Sequence, residues 1–153
     1  MIVLAFDLGR HAGVAYGDAG GLVRLEQIDL PQDLGPMMSG FEGAVRGLIR
    51  KTEPDFMFWE RPFVTTNKHD AQGEIRTQRL YGQAAACAKI AHEYGIRNDS
   101  ERPMTIRKAV IGRGNAKEEE IFAFCRRCGV DAVTAHRADA YVAWLYAAKK
   151  LRR

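Results

Sequence analysis

The feature that most constrains this chain is a carboxylate near the far end of an apolar run. Residues 2–8, IVLAFDL, are short, apolar and closed by Gly9, the pattern of a buried strand. Asp7 lies near its C-terminal end, where a charge is costly to bury unless it is paired or bound to metal. Glu60 repeats the arrangement after Phe56-Met57-Phe58-Trp59. A helical pattern separates the second run from the strands before it, so the two runs can lie parallel. Both acids then emerge at one edge of the sheet, the edge where open α/β sheets bind ligands. Two acids held close repel each other, and a divalent cation relieves that repulsion.

The intervening sequence completes an α/β reading. Residues 14–18 and 21–29, joined across Ala19-Gly20, read as an antiparallel pair following the first strand. Phe41, Val45, Leu48 and Ile49 mark a helix over 37–51, which Pro54 ends. Residues 61–75 lack periodicity and read as a loop, longer than the usual span of about 4–6 residues. An alanine-rich helix is expected over 76–94 with Gly95 as its stop, and a short strand over 96–98. Helices follow at 105–111, at 116–128 and from after Thr134 to about Lys150. With no linker or repeat, the expectation is one domain over 1–153, built on a mixed sheet flanked by helices.

Composition narrows the class. At 153 residues the chain can bury roughly 70% of its unfolded surface without a disulfide or structural metal. Its longest apolar candidate, Tyr141–Ala148, falls far short of the ~18 residues of a membrane helix. Asp7, Arg10 and His11 break up any signal-peptide pattern, so a soluble, cytoplasmic protein is expected. Cys87, Cys125 and Cys128 make no disulfide framework, and Cys125-x-x-Cys128 lacks a second ligand pair for zinc. Charge is uneven along the chain. Residues 1–60 carry 5 basic and 9 acidic side chains, whereas 61–117 carry 11 and 5. A basic middle segment suits a polyanionic partner such as nucleic acid, and equally a solvated surface.

The last helix adds two further candidate ligands. His136 and Asp139 are three residues apart and share a helix face. With Asp7 and Glu60 they suffice for two divalent ions, and oxygen ligands favour magnesium or manganese over zinc. Each residue also has an ordinary reading. Asp7 could bond the following turn, Glu60 could pair with Arg61, and His136 could face solvent. The case rests on the four together.

These residues resemble the RuvC family of Holliday-junction resolvases, within the RNase H-like superfamily. The opening Ile2–Gly9 with Gly13 is similar to that family's first strand and turn, and Glu60 with Phe63 to its second acid and following aromatic. Leu80-Tyr81-Gly82-Gln83 resembles the Leu-Gly-Gln start of the helix that pairs two subunits. Residues 109–117, AVIGRGNAK, resemble its basic glycine-punctuated motif, and residues 136–140, HRADA, its closing acidic motif. The matches run in order over nearly the whole chain.

The resemblance implies an RNase H-like mixed five-stranded sheet flanked by helices. It implies a homodimeric endodeoxyribonuclease that resolves four-way junctions with two Mg2+ ions, Mn2+ serving as a substitute. Asp7, Glu60, His136 and Asp139 would be catalytic metal ligands. Phe63 would stack at the opened junction centre, the alternative being a core residue. Arg107, Lys108, Arg113 and Lys117 can meet phosphates through charge-assisted hydrogen bonds. Lys117 would also stabilise charge that develops at the scissile phosphate. Arg107 stands where the family has lysine, Lys117 lies one residue nearer the glycine than the family pattern, and Lys108 competes for the first place. The setting would be a bacterial or phage-infected cell. Three other readings compete: an RNase H-like nuclease of flaps, forks or RNA, a non-catalytic junction binder, and an actin-like ATPase. The last needs two lobes, for which 153 residues are too few.

Overall fold

The computed structural model describes residues 1–63 and 71–152. Among these, β1 (Ile2–Asp7), β2 (His11–Asp18), β3 (Val23–Asp29), β4 (Phe56–Glu60) and β5 (Arg97–Glu101) form one sheet in the order β3-β2-β1-β4-β5. The β1–β2 and β2–β3 pairs are antiparallel, and the β1–β4 and β4–β5 pairs are parallel. This is the mixed sheet expected from a meander followed by helical crossovers.

Strand alternation sorts side chains between two cores. Val3 and Ala5 of β1 and Phe56 and Phe58 of β4 face α3 (Pro103–Ile111), α4 (Glu118–Arg127) and α5 (Ala135–Leu151). Leu4, Phe6, Met57 and Trp59 face α1 (Leu34–Thr52) and α2 (Ala71–Glu93). The α1 stripe of Met37, Phe41, Val45, Leu48 and Ile49 is buried against that second face. Burying a side chain such as Phe41 contributes about 1.5–3 kcal/mol. The period of two then continues to the strand ends, so Asp7 and Glu60 point to the α5 side.

Helix α5 lies close on the sheet because its buried positions are mostly small, including Ala138, Ala140, Ala143 and Ala147. Gly13 on β2 completes the fit. A Cβ there would stand 1.9 Å from the His136 carbonyl oxygen, so any side chain would push the first turn of α5 away.

Several boundaries differ from the sequence expectation. Strand β2 starts at His11 and not at residue 14, because the ladder to β3 carries on through His11↔Asp29. Helix α1 runs 34–52, ending where Glu53 takes φ 45° before Pro54. Helix α2 begins at Ala71, inside the stretch expected as loop, and residues 64–70 of that stretch lie outside the described residues. Polar strand β5 extends to Glu101 because β4 supplies its ladder partners. Helix α3 starts two residues early with Pro103 in its first turn, and α4 starts later, at Glu118. Cys125 is buried in α4 and Cys128 is exposed just beyond it, both as free thiols.

Candidate active site

The β1–β4 register places the two strand-end acids side by side. Phe6 pairs with Trp59, so the next residues on the parallel strands are Asp7 and Glu60. Helix α5 enters over this edge. Its N-cap is Thr134, whose hydroxyl accepts from the Arg137 amide at 3.3 Å and donates to Gln27 Oε1 on β3 at 2.7 Å. That anchorage directs the first two turns of α5, with His136 and Asp139, toward the strand ends. His136 Nδ1 lies 2.9 Å from Asp7 Oδ2, and Arg107 Nη2 donates to Asp139 Oδ1 at 3.0 Å. All five side chains line one cleft of about 1130 Å³.

Its electrostatics are unfavourable to charge. Burial pushes the Asp7 carboxyl up to about 6, reinforced by Asp139 and opposed by His136 and Arg107. Glu60 is held well above the usual carboxylate range by burial, then by Asp7 and Asp139. Burial also raises Asp139, with Arg107 only partly offsetting it. The hydrogen bond to Asp7 raises His136, against the opposing effect of burial. Glu60 Oε1 is buried with no hydrogen-bond partner. An orphaned carboxylate oxygen is expensive unless a cation or donor arrives.

The donor set suits magnesium or manganese, being three carboxylates and one imidazole. Among the described residues, however, no three such side chains are gathered tightly enough to hold one ion. His136 and Arg107 take up carboxylate oxygens that an ion would compete for. The residues therefore fit divalent ions in kind and in the unpartnered Glu60 oxygen.

The remaining candidates separate. Phe63 is 55% exposed on the cleft wall, so it is not a core residue. Between Arg107 and Lys108, it is Arg107 that lines the cleft, while Lys108 is exposed on α3. Arg113 pairs with Glu120 at 2.6 Å, outside the residues lining the cleft. Lys117 is the exposed N-cap of α4, its amide donating to Glu120 Oε2, and its neighbour Glu118 reaches the cleft. The ordinary readings of the acids fare differently from the set. Arg61 bonds Ser100 through Nη2 and Nε and not Glu60, and His136 is bonded to Asp7.

Sequence reasoning missed Arg61, Arg76 and Met104, which all line the cleft. Arg76 had a signal in its place within the basic middle segment. Met104, 61% exposed, had none, because nothing in a helical pattern marks an apolar residue as surface. His11 was also missed, and its ring lies 6.0 Å from that of His136 while Nδ1 meets Asp29 at 2.7 Å.

No protein-family model matches the chain, and no curated protein resembles it in sequence. Solved structures do resemble it. Thermus thermophilus RuvC is 22% identical with a TM-score of 0.76, covering 99% of this chain and 96% of that one. T. thermophilus RuvC in complex with Holliday junction substrate is 21% identical with a TM-score of 0.80, over 99% and 95% of the two chains. The yeast mitochondrial Holliday junction resolvase Ydc2 is 13% identical with a TM-score of 0.64, over 98% and 81%. With its strand order and flanking helices, this chain has the RNase H-like α/β fold in the form that RuvC takes.

Proposed function

We propose that this chain is a structure-selective endodeoxyribonuclease that resolves four-way DNA junctions by paired phosphodiester hydrolysis. The observation that carries the reading is the carboxylate cluster, Asp7, Glu60 and Asp139 with His136, at the open edge of a RuvC-like sheet. The similarity to a RuvC in complex with Holliday junction substrate supports the choice of DNA substrate.

Asp7, Glu60, His136 and Asp139 would hold two magnesium ions, or manganese in their place. When bound, such ions supply an activated water and neutralise charge at the leaving oxygen. The protein's own groups orient the substrate. Arg107 stands at the cleft beside Asp139, placed to meet a phosphate once released from that carboxylate. Lys108, Arg113 and Lys117 extend the basic surface along α3 and the start of α4, for backbone contacts that fix register. Phe63 presents an exposed ring to an unpaired base, a stacking contact worth about 1–3 kcal/mol. Tyr81 of α2 reaches Pro62, which ties the base of the Phe63 segment to that helix.

A homodimer follows from the need for two nicks. Two sites related by a two-fold axis match a four-way junction. On α2, Tyr81, Ala85 and Ala88 are exposed along one side, an apolar strip suited to a second copy. The proposed setting is the cytoplasm of a bacterial or phage-infected cell.

The test is a substrate panel: labelled four-way junction, flap, fork, linear duplex and RNA hybrid, each with magnesium. Paired nicks at symmetry-related positions of the junction, with products that religate, are expected. Flap, fork or RNA cleavage without paired nicks would transfer the same cluster to another nuclease activity. Tight junction binding without cleavage would reduce the chain to a binding module.

A further inference from the structure

Gln83 is the one polar side chain that is fully buried among the described residues. It stands mid-way along α2, where the neighbouring Gly82 lets Met38 of α1 approach to 3.2 Å of its would-be Cβ. Its Nε2 donates to the Gly9 carbonyl at 2.9 Å, across 74 residues of sequence. Its Oε1 is buried without a partner. An apolar residue of this size would carry no such orphan, so packing alone does not explain a glutamine here.

The contact explains it. Gly9 sits two residues after Asp7, in the turn between β1 and β2, with φ +154°. On its other side the same turn is held by Arg10, whose carbonyl accepts from Leu30 and whose Nε donates to the Leu30 carbonyl. Gln83 closes the turn from the α2 side. The first turns of α2, through Glu74 and Arg76, also line the cleft. One amide therefore joins a wall of the cleft to the segment that fixes the direction of Asp7.

We infer that Gln83 is a positioning residue for the metal site, acting through the Gly9 carbonyl on Asp7; this rests on Asp7 being a metal ligand, as proposed above. Removing the amide frees the turn without touching a carboxylate. The variant sheds the orphaned Oε1 but leaves the Gly9 carbonyl without its donor, so the two changes partly offset and the loss of global stability should be modest.

The variants are Gln83→Met and, as a second apolar replacement, Gln83→Leu, each in the full chain. Amide hydrogen exchange at residues 8–10 should accelerate about tenfold in the metal-free protein. Mn2+ affinity should fall roughly tenfold or more, the range for groups that orient metal ligands. The melting temperature should fall only modestly, and junction binding in EDTA should be unchanged. Unaltered exchange and Mn2+ affinity in a folded variant would overturn the inference. So would a loss of Mn2+ binding that merely tracks a lower melting temperature, or a wild-type protein that binds no Mn2+. If the Gln83 effects appear but the wild type cuts no junction, the inference stands and the resolvase reading falls.

Discussion

Acids at the outer strands and acids in the cleft live under opposite conditions. On β2 and β3 each acid meets a partner. Glu26 accepts from Lys51 and from Tyr16 and is held below its ordinary value by those bonds. Asp29 is lowered by His11 and then Gln27, and Asp18 by the N-terminal amine. In the cleft, Asp7, Glu60 and Asp139 are all raised by burial, although His136 bonds Asp7 and Arg107 bonds Asp139. The outer acids serve the fold. The cleft acids strain it, a cost of the kind that clusters at functional sites.

The largest effect expected from breaking this contrast comes from Asp7→Asn. It keeps the shape, removes one of the repelling charges, and should cut junction nicking by roughly 10³-fold. The metal-free melting temperature should hold or rise, since a buried charge is gone. A parallel loss of stability would show instead that Asp7 is structural.

Proton linkage sharpens the same contrast. A carboxyl whose native pKa is raised binds more protons folded than unfolded between the two values. For Asp7, at about 6 against an ordinary 3.8, metal-free stability should fall as the pH rises from about 4 to about 6. The contribution is on the order of 2 kcal/mol. Manganese should restore melting temperature most at the upper end of that window. The lowered outer acids behave in reverse, their stabilisation being lost as the pH drops below their ordinary values. Calorimetry across pH with and without chelator would separate the two, and a metal-free profile that rises steadily from pH 4 to 6 would contradict the cleft account.

Phe63→Ala should have a smaller effect. Losing about 1–3 kcal/mol of stacking predicts junction cleavage slower by around tenfold or more, with duplex binding unaltered. Equal losses on both substrates would make Phe63 a general contact. The smallest effect belongs to the outer strands. Lys51→Met should leave cleavage intact and lower the melting temperature slightly, a difference that disappears at high salt. Any loss of cleavage there would tie the β3 surface to the site.

Much of this arrangement was legible because two periodicities carried it. Apolar runs ending in acids marked β1 and β4, and the spacing of His136 and Asp139 marked a shared helix face before any register was known. Strand β5 was only partly legible, since Arg97-Asn98-Asp99-Ser100-Glu101 is polar and owes its conformation to the edge of β4. The early start of α2 was hidden for a similar reason: its first turns, with Gly73, carry no apolar stripe. Tertiary pairings were beyond reach. The bond of Arg107 to Asp139 joins residues 32 apart, and Gln83 reaches Gly9 across 74 residues that hold three strands and a helix. Arg107 and Lys108 were indistinguishable until the rotation of α3 turned Arg107 toward the cleft.

If divalent ions complete the poorly neutralised cleft carboxylates, the metal-free protein should take them up. Calorimetric titration of the metal-free protein with Mn2+ near neutral pH, beside Glu60→Gln, tests it most directly. Two ions per chain are expected, with the loss of at least one in the variant, whose buried Oε1 no longer belongs to a charged group. Absence of Mn2+ binding by the wild type, or equal binding by the variant, would contradict it.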